Sequence, residues 1–237
     1  MPQIRERVFI IGSRDGAEFK FPLPTHKNPE KNDNDLFPLG SWRTAWDAIG
    51  DLNALIHTDI SATGKWAELL PSIPEGKNYL HHTNRGEGLP LFGWRTRYWS
   101  FLLKLAKDKP SWTIQAQPGS AIGPFHWKNR RLSTRELCRL QTFPDNYEIL
   151  GGRTEVQRQL GNAVPSLIGE ILGKEIERQF FGIDIEEPLV LLPVVNTTPF
   201  RKQPVKAVDE KYLSLLGEHF DHPGTGKGPQ ASNTGGT

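Results

Sequence analysis

From about Ser61 to Gly123 the sequence has almost no periodicity. Glycine, proline and aromatic residues break it too often for long helices or a regular sheet. Such a stretch predicts a small domain of short elements, in which side chains rather than backbone regularity carry the function. Two local patterns stand out. Arg97–Lys107 predicts a helix, because Phe101, Leu102, Leu105 and Ala106 form an apolar stripe and Pro110 stops it. Thr113-Ile114-Gln115-Ala116 predicts a short strand.

The flanks are more regular. Val8-Phe9-Ile10-Ile11 is a β-branched run closed by Gly12-Ser13 and predicts a buried strand. After a polar connection, Thr44–Leu55 predicts a helix from Ala45, Ala48, Ile49, Leu52 and Leu55. Ser133-Thr134-Arg135-Glu136 is a capping box, opening a helix that runs to Gln141 and ends before Phe143-Pro144. Thr154-Glu155-Val156-Gln157 predicts a second box and a short helix stopping at Gly161. Pro165 opens a longer amphipathic helix with Leu167, Ile168, Ile171, Leu172 and Ile176 on one face. Beyond Gly182 the chain turns Pro-rich and predicts a largely disordered tail, most plainly from Asp221.

The 237 residues can bury a sizeable core, and a net charge of +2 gives no global argument for nucleic acid. Cys138 is the only cysteine, which rules out an intrachain disulfide and suits a reducing compartment. The first residues lack a signal-peptide pattern, and the longest apolar runs, Val8–Ile11 and Leu189–Val195, are too short to span a bilayer. These readings lead to the expectation of a cytoplasmic protein, in the bacterial cytosol or nucleoid, with no membrane partner.

Three separated stretches, in order, resemble one family. Gln3-Ile4-Arg5-Glu6-Arg7 before Val8 resembles the Gln-x-Arg-x-Arg strand motif of DNA (cytosine-5) methyltransferases of the type II restriction-modification kind. Arg131 to Asp145, reading Arg-Leu-Ser-Thr-Arg-Glu-Leu-Cys-Arg-Leu-Gln-Thr-Phe-Pro-Asp, is similar to that family's penultimate motif. Gln157 to Pro165, with Gln159-Leu160-Gly161-Asn162-Ala163-Val164, resembles its last motif. An ordered triple match is far more specific than any single one. It implies an α/β fold: the C-terminal part of a Rossmann-like methyltransferase domain plus a small, irregular, mixed α/β target-recognition domain. The expected division is a terminal strand over 1–14, a connection and helix over 15–60, recognition over 61–130, the last two motifs over 131–182, and the tail over 183–237.

The resemblance also implies roles. A cytosine inside a duplex must be swung out before its C5 is reached. Alternate residues on a strand face one side, so Arg5 and Arg7 can share a pocket, with Arg7 toward the base and Arg5 toward support or phosphate. Without the flanking motif the two read instead as a surface pair with Glu6 or another carboxylate. Asn162, Ala163 and Val164 are expected to contact S-adenosylmethionine near a helix N-terminus, although Gly161-Asn162 alone reads as a helix stop. Arg135, Glu136 and Arg139 are expected to be structural, in charge pairs that also include Arg131.

For double-stranded DNA the expected contacts are Gln3, Arg85, Arg95, Arg97, Gln115, Gln117, Lys128 and Arg130. Trp94, Trp99, Trp112 and Trp127, interleaved with them, read as core filling. His126 reads as a structural or phosphate-contacting histidine rather than a metal ligand, since no second ligand stands at metal spacing. No metal is expected.

The nucleophile of this chemistry is a thiolate that adds to cytosine C6, carried in the family by a Pro-Cys pair. Cys138 follows Leu137 inside a predicted helix and reads as packing. The Phe-x-Gly-x-Gly and Glu-Asn-Val motifs are absent, and Gly86-Glu87-Gly88 lacks the preceding strand needed to replace the former. Met1 stands where the family commonly has valine, suggesting a start inside a split or frameshifted gene. The leading expectation is therefore an enzyme part completed by an N-terminal methyltransferase chain that carries the catalytic cysteine. The alternative is a non-catalytic remnant or DNA-binding module.

Overall fold

The structure, a computed structural model, describes residues 1–30, 39–54, 60–95, 98–183, 186–217 and 219. Among them, β1 (His26–Lys27) and β2 (Gly40–Ser41) form a short parallel pair with His26 opposite Gly40. Next comes α1 (Ala45–Ile49), extended by a 3-10 turn over Gly50–Ala54. Thr44 and Asp47 cap each other at its start, which satisfies two amides that would otherwise lack partners. Leu55, the last residue of the expected helix, lies outside the described residues.

The irregular region does fold through short pieces: 3-10 turns over Ala67–Ser72 and Tyr79–His82, and isolated bridges. The expected helix over Arg97–Lys107 does not form. Leu102 has a left-handed φ of 53°, and Phe101 and Lys104 bridge to Ile122 and Phe125. Leu102, Leu103, Lys104 and Leu105 are all buried, so the segment is covered on every side and has no solvent face for a helix to present. The strand expected at Thr113–Ala116 does not form: Ala116 lies in a bend, and the ladder beside the segment is the single bridge Gln3–Ser111.

Two cores result. One packs α1, α2 (Thr134–Leu140) and α3 (Arg153–Asn162) around Trp127, with Trp46, Leu105 and Ile114. The other gathers Leu69, Leu70, Ile73, Tyr79 and Leu102 with a partly buried aromatic set, Trp66, Phe92 and Phe101, in edge-to-face contact. Segments 101–107 and 125–127 thread both cores: Leu102 and Phe125 belong to the second, Leu105 and Trp127 to the first.

The Ser133 capping box is present as expected, and Gln141 caps the C-terminus of α2. The box expected at Thr154 is not. Gly152 is the N-cap and has no side chain to bond the first amides; the guanidinium of Arg153, the first helical residue, donates to the Leu132 carbonyl at 2.8 Å. α4 (Ser166–Phe181) follows Pro165 and ends at left-handed Gly182. Only Leu167 on its apolar face is fully buried.

The buried strand expected at Val8–Ile11 is also absent. Val8 is 88% and Ile10 93% exposed, and past Gln3 no described segment pairs with this run. A four-residue β-branched run has no stable conformation without ladder neighbours. The expected tail over 183–237 also needs correction. Residues 190–216 form an ordered strap across both cores: Arg43 Nε donates to Pro193 O, Trp46 Nε1 to Thr198 O, Lys206 N to Pro71 O and the Tyr212 hydroxyl to Lys65 O. Proline removes donors but leaves carbonyls, and the core uses several of these strap carbonyls as acceptors. The expectation for Asp221 onward lies outside the described residues.

Candidate nucleic-acid and cofactor site

The turn from Gly161 to Pro165, between α3 and α4, is where the three separated motifs meet. Arg5 reaches it from the N-terminal stretch, its guanidinium donating to Gly161 O and Ala163 O, both at 2.8 Å. Gln141 Nε2 donates to Leu160 O at 2.7 Å, and the Gln141 carbonyl accepts from Ser166 N. Thr142 Oγ1 accepts from Leu167 N at 2.9 Å. Gln157 Nε2 donates to Gln115 O at 2.7 Å. Gly161 is required here: an added Cβ would lie 2.2 Å from Ala116 Cα, so only a bare backbone lets the turn press against Gln115-Ala116.

These bonds correct how the turn can act. The first two α4 amides and the Ala163 amide are taken internally, the last by Gln159 O, so the helix N-terminus is not an open anion site. Asn162 and Val164 are exposed, and among the described residues the Asn162 side chain makes no hydrogen bond. Arg5 and Arg7 are not brought together. Arg5 is half-buried on the turn, while Arg7 is exposed and donates to the backbone carbonyl of Glu6. The physical reason is the missing ladder: with no strand geometry, alternation no longer holds the two on one face.

Behind the turn, Glu136 is 1% exposed and accepts both arms of Arg130 at 2.7 and 2.8 Å, while also accepting the Ser133 amide. Arg130, expected to meet DNA, is therefore held by the fork of a buried carboxylate. Arg131 donates to a carbonyl, that of Ser120, rather than joining a charge pair. Arg139 grips Asp145 with two nitrogens and Asp51 with a third, tying α2 to the end of α1. Those hydrogen bonds hold the Asp145 carboxyl below its usual value. Arg135 lies 3.7 Å from the same carboxylate.

His126 is fully buried, accepts from the Lys128 amide through Nδ1 and places Nε2 3.5 Å from Glu136. Burial first, then Arg130 and Lys128, pushes its imidazolium well below the ordinary range. The Arg130 fork already occupies Glu136, and the buried His126 Nε2 makes no hydrogen bond. Among the described residues no cluster of three or more metal-ligating side chains exists. Cys138 is buried in the first core, and burial pushes its thiol up, away from nucleophilic character.

Of the other residues expected at DNA, Gln3 is buried with neither side-chain polar atom bonded, and Gln115 spends its amide on Ser100 Oγ. Gln3 is thus corrected from a surface contact to an interior position, while Gln115 is half-buried with its amide engaged. Gln117 and Lys128 are exposed. Arg85 stacks 4.0 Å over Trp94, and the backbone of Arg95 brackets the Tyr79 hydroxyl. Arg97 lies outside the described residues. Trp127 is core as expected; Trp99 is not, being 48% exposed. Sequence reasoning missed Lys77 and His81, which share a cleft with Arg85 and Trp99. The dense polar run from Lys77 to Arg85 was the available signal.

The profile of C-5 cytosine-specific DNA methylases matches residues 1–178. The chain belongs to that family. It is 40% identical over 198 residues to the type II methyltransferase M.SacI of Streptomyces achromogenes, covering 78% of this chain and 50% of that one. M.NgoFVII of Neisseria gonorrhoeae is 36% identical over 201 residues, covering 80% and 51%. M.BbvI of Brevibacillus brevis is 33% identical over 189 residues, covering 78% and 47%. The chain thus spans about half the length of the family members it matches, and the strap lies beyond the residues that the family profile covers. No helix among the described residues is long and apolar enough to cross a membrane.

Proposed function

We propose that this chain supplies the target-recognition region and closing elements of a DNA (cytosine-5) methyltransferase of the restriction-modification type. The observation that carries the reading is the convergence of Arg5, Gln115-Ala116 and Gln141-Thr142 on the Gly161–Pro165 turn. Residues 131–182 then complete a Rossmann-like methyltransferase domain, and 61–130 form the recognition domain that meets double-stranded DNA. S-adenosylmethionine supplies the methyl group when bound. The exposed Asn162 side chain and Val164 are what this turn offers it, which fits one wall of a cofactor site rather than a whole one. Arg7 faces outward and is the residue proposed for the flipped cytosine, while Arg5 holds the turn.

Because Cys138 is buried packing, the thiolate comes from a complementary N-terminal methyltransferase segment, whether joined to this one or carried on a separate chain. The exposed Val8 and Ile10 support a missing sheet neighbour. The proposed setting is the bacterial cytoplasm, where the DNA is. The experiment is to express the chain with and without a segment bearing the Pro-Cys pair and to map methylated cytosines. Methylation with both present, lost on Arg7→Ala, is expected. No methylation in either case would leave the chain a DNA-binding remnant and refute the enzyme reading.

A further inference from the structure

A cleft of about 250 Å³ opens on the recognition region, and no residue of the Gly161–Pro165 turn lines it. One wall is the 3-10 turn Tyr79–His82, carrying His81; the other is the Arg85–Glu87 loop. That loop doubles back tightly, with Gly86 N bonded to Thr83 O and Gly88 N to His81 O. A Cβ on Gly86 would lie 2.2 Å from Leu80 O, and one on Gly88 2.8 Å from the His81 ring. Gly86-Glu87-Gly88 is therefore a close-packing device that sets Arg85 on the cleft rim, stacked on Trp94.

At the mouth lie Lys77, for which no described carboxylate is a partner, and the half-exposed Trp99 ring. Trp99 is oriented from both sides: its carbonyl accepts from Asn78 Nδ2 at 2.7 Å, and its ring meets Trp112 edge-on at 5.3 Å. Burial first, with Lys77 and Lys104, lowers the His81 imidazolium against the pull of Glu87, leaving a neutral ring. Two cations, one carboxylate, a neutral imidazole and a positioned aromatic face suit one phosphodiester with its sugar and base edge.

We propose that this cleft is a DNA-strand subsite in which Lys77 and Arg85 hold phosphate and Trp99 packs on the attached sugar and base edge. The proposal rests on the reading of 61–130 as the recognition domain. Gln115 and Arg130, expected at DNA, are spent internally, whereas in this cleft exposed cations and an exposed aromatic ring coincide.

The test is fluorescence anisotropy of a labelled duplex with the full chain across a salt series. Lys77→Ala and Arg85→Ala should each reduce the slope of log K on log salt by about 0.9. Trp99→Ala should weaken binding by about fivefold or more at every salt concentration, with Trp99→Phe restoring most of it. Arg178→Ala, on α4, should bind as the parent does. Lys77 and Arg85 are exposed, so unchanged melting curves will confirm that these variants fold. Parent binding that is indifferent to all three substitutions overturns the cleft alone. A parent that binds no duplex overturns both the cleft and the recognition-domain reading.

Discussion

Glu75 and Lys107 form an ion pair whose side chains are each 1% exposed, and replacing one partner makes a sharp test of how this molecule is held together. Glu75 Oε1 also accepts Gln203 N at 2.7 Å, while Lys107 Nζ also donates to Arg201 O at 3.0 Å and lies 5.2 Å from the centroid of Trp127. The pair therefore joins three pieces: the turn after the Ala67–Ser72 helix, the thread between the two cores, and the strap. Glu75→Gln keeps the shape but strands an ammonium in the interior. Removing one partner of such a pair costs about 3–5 kcal/mol, because the remaining charge is uncompensated.

For a chain of this size each kcal/mol moves Tm by about 2–4 °C, so the variant should melt on the order of 10 °C lower. Urea unfolding followed by tryptophan fluorescence gives the free energy, and limited proteolysis between 186 and 217 shows whether the strap is released first. The double variant Glu75→Leu/Lys107→Met supplies the internal check. With both charges gone nothing is stranded, so it should be more stable than Glu75→Gln alone. If Glu75→Gln unfolds within about 0.5 kcal/mol of the parent, the pair is not the buried junction described here.

Gly161→Ala should lower stability by about 3 kcal/mol in the same urea assay, since its Cβ meets Ala116 backbone, whereas Gly173→Ala, with nothing within 4 Å, should raise it by about 0.5–1 kcal/mol. A neutral Gly161→Ala would contradict the close approach. His126 carries a pH signature. Its folded pKa is depressed, so below its ordinary 6.5 the unfolded chain binds a proton that the folded one refuses; stability falls by about 1.4 kcal/mol per unit as pH drops, and His126→Asn should flatten that slope. Lys104 acts at the other end. Burial lowers it from 10.5 to about 8, so between those values the unfolded chain holds more protons and stability rises with pH by about 3 kcal/mol. Lys104→Met should abolish that rise in urea midpoints taken across the window; a parent midpoint that does not move would refute a buried Lys104 ammonium.

The helices after Leu132 were legible because their signals are local. A Ser three residues before Glu, and a Pro after Gly-Asn, satisfy or withhold backbone bonds within one turn, and tertiary packing has little power to override them. The segment from Arg97 to Lys107 shows the opposite case. Its leucines recur at helical spacing, but the same spacing arises when every residue of an extended thread is covered. The difference lies in Lys104 and Lys107, which bury their ammonium groups against Ile73 O and Glu75. No window of local sequence contains those acceptors.

The strap was hidden for a related reason. Its composition suggests a tail, yet what binds it is largely main chain, carbonyls at Pro193, Thr198 and Arg201 and amides at Val190, Leu191, Asn196, Gln203 and Lys206, which composition does not report. Arg5 extends the argument to the site. Read as a strand arginine sharing a pocket with Arg7 and serving support or phosphate, it closes on two carbonyls of the Gly161–Pro165 turn, more than 150 residues away in sequence. Both hydrogen bonds need Gly161 seated against Ala116, so the proposed base-facing role of Arg7 depends on Arg5 having no second task. In this architecture the first arginine of the motif anchors the turn, and the second stays exposed at the surface.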